Sequence, residues 1–120
     1  MAPNLSGVHH VALCVDDVDT ATEFYVEVLG CEQRADRPDF GIPGAWLDAG
    51  TQQIHLMQLG DTPRTASHFA LRVDDLDAWC AHLEAHGVAY RRSDHVANAG
   101  FQAFLADPAG NQIELNQPDH

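Results

Sequence analysis

The chain has 120 residues and a mass of 13.1 kDa, 45% of it hydrophobic and 20% charged, which is enough for one domain around one core and too apolar for a disordered tail. Six Lys+Arg against 18 Asp+Glu give a net charge of −12, a field that repels phosphate backbones and excludes a nucleic-acid partner. No apolar run approaches the roughly 20 residues that cross a bilayer, the start MAPNLSG lacks a signal pattern, and Cys14, Cys31 and Cys80 form no CxxC, so no membrane partner is expected and a reducing cytoplasm fits.

Residues 8–15 alternate in polarity and are rich in β-branched side chains, which predicts a strand. Asp17 is a helix N-cap, and Val18, Ala21, Tyr25, Val28 and Leu29 form an apolar stripe at helical spacing up to Gly30. Three strands follow, at about 31–36, 44–49 and 52–59, with the Pro- and Gly-rich loop 37–44 between the first two.

The pattern then starts again. HVALCVDD at 10–17 returns as HFALRVDD at 68–75, and QIHL at 53–56 as QIEL at 112–115. Gly30 has its counterpart in Gly87, and Asp48 in Asp107. The second copy therefore reads as a strand at 67–73, a helix from Asp75 to Gly87 carrying Leu76, Trp79, Cys80 and Leu83, and strands at about 88–93, 99–106 and 111–116. Asp107-Pro108-Ala109-Gly110 is a tight turn by its chemistry. The expected fold is α+β: a single domain over 1–120, made of two tandem βαβββ modules at about 7–60 and 65–117, forming a cup-shaped mixed sheet.

Strand side chains alternate between faces. Val11, Leu13 and Val15 must meet the helix, so His10 points the other way. The same parity puts His68 opposite Phe69 and Leu71, His55 opposite Ile54 and Leu56, and Glu114 opposite Ile113 and Leu115. His10, His55, His68 and Glu114 thus stand on the open face at equivalent positions, and two curved sheets would bring them into one cleft. Imidazoles with a carboxylate suit a borderline divalent ion. Phe40, Trp46, Phe101 and Phe104, with Arg72, are expected to wall a small-molecule pocket. His95, in a loop, is a candidate proton shuttle. His9 is expected at packing or a strand edge, His82 and His86 on a solvated helix face, and Phe24, Tyr25 and Trp79 in helix packing. No GxGxxG, P-loop or GxSxG pattern occurs.

HHVALCVDDVDTATEFYVEVLG resembles the opening of the vicinal oxygen chelate superfamily, which includes glyoxalase I, bleomycin resistance proteins and extradiol dioxygenases. HFALRVDDLDAWCAHLEAHGV resembles the opening of its second module. FLADPAGNQIEL is similar to its closing strand, with a DPxGN turn before a metal-binding Glu. The likeness covers about 7–116.

It implies a cup around one divalent ion (Fe, Mn, Ni, Co or Zn) held by His10, His68 and Glu114, with His55 where glyoxalase I has a further carboxylate. It also implies a homodimer whose sites draw on both subunits. The chain departs from the branches it resembles: His stands at 55, and Phe104 stands where extradiol dioxygenases carry Tyr. The expected function is a metal-dependent isomerase, lyase or dioxygenase. It would act on a small oxygenated metabolite by bidentate chelation and Lewis-acid catalysis, with Glu114, His55 or His95 moving the proton. The alternatives are a bleomycin-like drug-binding protein without a metal and a ligand sensor without turnover.

Overall fold

The computed structural model describes Pro3 and residues 8–60, 68–95, 97 and 100–119. The first module runs β1 (His10–Val15), α1 (Val18–Glu27), β2 (Glu32–Gln33), β3 (Gly44–Ala49) and β4 (Gln52–Gln58). The second runs β5 (His68–Arg72), α2 (Leu76–Ala85), β6 (Arg91–Arg92), β7 (Phe101–Ala106) and β8 (Gln112–Gln117). The expected strand starts at 67 and 99 and the module limits at 7 and 65 lie outside the described residues.

Both helices start as their sequences predict. The Asp17 carboxylate accepts from the amides of Asp19 and Thr20, and the Asp75 carboxylate accepts from that of Ala78. A second cap is not visible in the sequence: Gln58 Oε1 accepts from the Val18 amide at 2.9 Å, and Gln117 Oε1 from the Leu76 amide at 2.7 Å. Each helix ends at a glycine with positive φ, 76° at Gly30 and 68° at Gly87. The closing turns use the next residues, since Cys31 donates its amide to Tyr25 and Val88 donates to Leu83. The strands expected at 31–36 and 88–93 are two residues each, Glu32–Gln33 and Arg91–Arg92, and Cys31 and Val88 belong to these closing turns instead.

The modules form two four-stranded mixed sheets, ordered β1-β4-β3-β2 and β5-β8-β7-β6. β1 runs parallel to β4 and β5 parallel to β8, while the other pairs are antiparallel. The two curved sheets of the sequence expectation are present, one from each module, and β1 and β5 are edge strands that pair on one side only among the described residues. Val15, Leu47, Ile54 and Leu56 from one sheet and Leu105, Ile113 and Leu115 from the other join Ala21, Tyr25, Leu76 and Leu83 of the helices in one core. Cys31 and Cys80 are buried within it as free thiols, and burial pushes the Cys31 thiol up to about 11. Among the described residues no helix is long and apolar enough to cross a membrane.

The 107–111 turn locks the modules together. Asp107, only 4% exposed, accepts from the amides of Ala109 and Asn111 at 3.0 and 2.7 Å and from Asn111 Nδ2 at 2.9 Å. The Tyr25 hydroxyl, from the other module, donates to it at 3.0 Å, and Asn111 Nδ2 also donates to the Cys14 carbonyl of β1 at 2.9 Å. Burial, and then the Asp107 charge, push the Tyr25 phenol far above its ordinary 10. Two consequences follow for Tyr25→Phe in denaturant melts. It should cost about 1–3 kcal/mol at neutral pH, the price of an unmatched buried acceptor. It should also flatten the alkaline loss of stability, because above pH 10 the unfolded chain releases a phenol proton that the wild-type fold retains.

Candidate functional site

The strand register gathers the predicted side chains on the two open sheet faces. In the first module the cross-strand row is Ala12, His55, Trp46 and Arg34, set by the pairings Ala12 with His55 and His55 with Trp46 and by the Arg34 amide on the Trp46 carbonyl. In the second module the same row reads Ala70, Glu114, Phe104 and Arg91.

In the first row the His55 ring is stacked between two partners, Trp46 at 4.5 Å and His10 at 4.1 Å between centroids, with interplanar angles of 12° and 14°. Phe40, 58% exposed on its loop, extends the aromatic surface at 6.1 Å from Trp46, with the Arg37 guanidinium over its ring at 5.1 Å. His55 Nε2 lies 2.9 Å from Gln53 Oε1, an acceptor, so the proton sits on Nε2 and the lone pair on Nδ1. Loss of solvent, and then the nearby His10, His9, Arg34 and Arg37, lower the His55 pKa and favour its neutral form. His9 is exposed rather than packed, and its Nδ1 shares a hydrogen bond with His10 Nδ1 at 2.9 Å.

In the second row His68 Nε2 donates to Glu114 Oε1 at 3.2 Å. Glu114 is 8% exposed, and its Oε2 accepts from Asn116 Nδ2 at 2.9 Å. Phe104 stands edge-on to His68 at 6.1 Å. The Arg91 guanidinium lies over the Phe104 ring at 4.9 Å from its centroid. Arg72 is exposed at the end of the same face of β5.

The four candidate ligands stand as two pairs, His10 with His55 and His68 with Glu114, and no group of three or more His, Cys, Asp or Glu suited to a metal ion forms among the described residues of one chain. Phe101 leaves the proposed wall, because it alternates with Phe104 along β7 and shares the helix-side parity of buried Ala103 and Leu105. His95 goes with it: its Nε2 donates to Asp119 Oδ1 at 2.6 Å and its ring packs on Phe101 at 4.7 Å. His82 is exposed, as expected of a solvated helix face, and its ring also donates to the Val28 carbonyl at 2.7 Å and ties α2 to the end of α1. Arg34 and Arg91, which complete the two rows, escaped the sequence reading. Their 57-residue spacing, the same as that of Gly30 and Gly87, was the signal available.

A family model for the Glyoxalase/Bleomycin resistance protein/Dioxygenase superfamily matches residues 7–115. The chain is 30% identical to a 2-epi-5-epi-valiolone epimerase of Actinomyces sp, over 94% of this chain and 80% of that protein. The crystal structure of TnmS3, an antibiotic binding protein from Streptomyces sp. CB03234, superposes with a TM-score of 0.81 at 32% identity, covering 98% of this chain and 100% of that one. Lactoylglutathione lyase from Agrobacterium tumefaciens shares the fold, with a TM-score of 0.81 at 24% identity and 96% coverage of each chain.

In protein stripped of metal, the His55 ring should take up its proton below the ordinary 6.5, read from its ring resonances in an NMR pH titration. Because the unfolded chain accepts that proton first, stability should fall as pH drops below that value, and His55→Gln should remove this component. A midpoint at or above 6.5 would mean that the stack does not shield the ring.

Proposed function

The chain belongs to the Glyoxalase/Bleomycin resistance protein/Dioxygenase superfamily, and we propose that within it the protein is a divalent-metal enzyme acting on a small oxygenated metabolite, with isomerase, lyase or dioxygenase chemistry. One observation carries this reading: two repeat-equivalent half-sites, His10 with His55 and His68 with Glu114, each presented on an open sheet face. Three imidazoles and a carboxylate are a fitting donor set for Mn, Fe, Co, Ni or Zn. Glu114 fits for a second reason. A nearly buried carboxylate held by an imidazole and an amide is already desolvated and oriented for a cation.

Neither half suffices alone, so we propose a homodimer in which the first module of one copy faces the second module of the other. A bound ion of this kind supplies Lewis-acid stabilisation to two neighbouring substrate oxygens. The chain's own groups do the rest. Asn116 fixes the Glu114 carboxylate, the neutral form of His55 leaves its Nδ1 lone pair either to ligate the ion or, where His10, His68 and Glu114 hold the ion without it, to accept a proton, and Phe40, Trp46 and Phe104 offer apolar walls that exclude water. His95, bound to Asp119 beside Phe101, has no part in this.

Mixing two defective variants tests both the ligands and the dimer. His10→Ala and Glu114→Ala should each lose the metal as homodimers, measured by elemental analysis. Unfolded together and refolded as a one-to-one mixture, they should regain about a quarter of the wild-type metal, since half the dimers are mixed and each of those rebuilds one of its two sites. No recovery on mixing would place complete sites within single chains. Full metal in either homodimer would remove the ligand assignment.

A second reading, capture of a planar compound without turnover, is favoured by the exposed Phe40–Trp46 surface and by the likeness to TnmS3. Wild-type protein that purifies without metal and gains none from solution would select it.

A further inference from the structure

We infer that the compound bound at these faces is an anion, a carboxylate, phosphonate or phosphate, and that Arg91 is the residue that reads its charge, orienting it with the charged end on the second module. The inference rests on the open faces being the binding site, as proposed above, and goes beyond it by naming the substrate class and the residue that selects it.

The chain has no lysine, so arginine carries all six of its fixed positive charges against 18 acidic residues. With acids in threefold excess, an arginine without a carboxylate partner is unexpected. Arg34 is held by Asp36 and Asp48, both at 2.8 Å, and Arg92, on the helix side of its strand, by Asp77 at 2.6 Å. Arg37, Arg72 and Arg91 have no carboxylate partner among the described residues. Arg91 and Arg72 share the Glu114 face, and Arg37 lies over Phe40 beside Trp46.

The repeat shows how Arg91 came to be unpaired. Arg34 and Arg91 close equivalent rows behind equivalent aromatic rings, Trp46 and Phe104. The counterpart of Asp36 is Ser93, which is neutral. The counterpart of Asp48 is Asp107, whose carboxylate is turned into the core toward Tyr25. Both acids that neutralise the first guanidinium are thus missing at the second, and Arg91 keeps its full charge. The Arg91 guanidinium lies over the Phe104 ring and is bonded to no carboxylate among the described residues, and a guanidinium is the group that makes a two-pronged bond to a carboxylate or phosphoryl group. In the first module Arg34 is neutralised, Arg37 is drawn onto its own loop by the Ile42 carbonyl at 3.1 Å, and the His55–Trp46 stack suits the uncharged part of the same molecule.

Phenylphosphonate and its uncharged dimethyl ester test this, titrated calorimetrically into the full-length protein, both metal-stripped and loaded with Mn(II). The anion should bind at least about tenfold more tightly than the ester, as one charge-assisted pair allows. Arg91→Gln should weaken the anion by about tenfold and leave the ester unchanged, Arg91→Lys should recover part of the loss, and Arg92→Gln should change neither. Equal affinities for the two probes, no measurable binding of the anion to either form, or equal effects of Arg91→Gln and Arg92→Gln would overturn the inference. Elemental analysis of the same samples separates the two proposals. Arg91-dependent discrimination in protein that takes up no metal sinks the metal enzyme alone, and full metal without discrimination sinks the anion site alone.

Discussion

The Asp107 carboxylate is the constraint on which the placement of both half-sites depends. It sits in the turn that launches β8, the strand of Glu114. Its neighbour Asn111 grips the Cys14 carbonyl on β1, the strand of His10, and Tyr25 reaches it from α1. One buried group therefore fixes a point of each module against the other. An ionised carboxylate in that position is tolerable because four donors surround it, and removing one partner of such a set is far more damaging than its net contribution to folding suggests. Where the two sheets can lie in space is decided here, ahead of any ligand.

Duplication supplies the second level of control, and the departures from it supply the chemistry. Gln58 and Gln117 cap the two helices in the same way, and His10 and His68 occupy the same edge position. His55 and Glu114 then give one half an imidazole and the other a carboxylate, and Asp48 and Asp107 divide into a surface ion pair and a core anchor. A symmetric pair of half-sites would bind a symmetric guest. These two departures from an otherwise repeated frame, one of identity and one of partners, make the two half-sites unlike.

Much of this was legible because period-two alternation and helix capping are local rules. The parity of Val11, Ile54, Phe69 and Ile113 placed four candidate side chains on the open faces, and Asp17, Asp75, Gly30 and Gly87 marked the helix ends. What escaped was non-local. Phe101 was read by its chemistry, and its own parity had the better claim. His82 is solvated as its helix position predicts, and only its bond to the Val28 carbonyl of the other module lies beyond any local pattern. The convergence of four ligands was a statement about how two sheets meet, and no strand pattern contains that. The separation of the half-sites follows from the topology, since β1 and β5 belong to different sheets and share no ladder among the described residues.

Those edges give the proposed second copy a physical motive independent of the metal. An exposed strand edge is a row of unmet backbone donors and acceptors that invites pairing with another chain. Of the four edge strands, the two that open their modules carry a histidine, His10 on β1 and His68 on β5. If β1 of one copy were brought beside β5 of another, the open edges would be covered and His10 with His55 would face His68 with Glu114. Backbone satisfaction and ligand completion would then be the same event, so the proposed centre would form only where the subunits meet. Metal affinity would depend on protein concentration, as the stability of any interface-built site must.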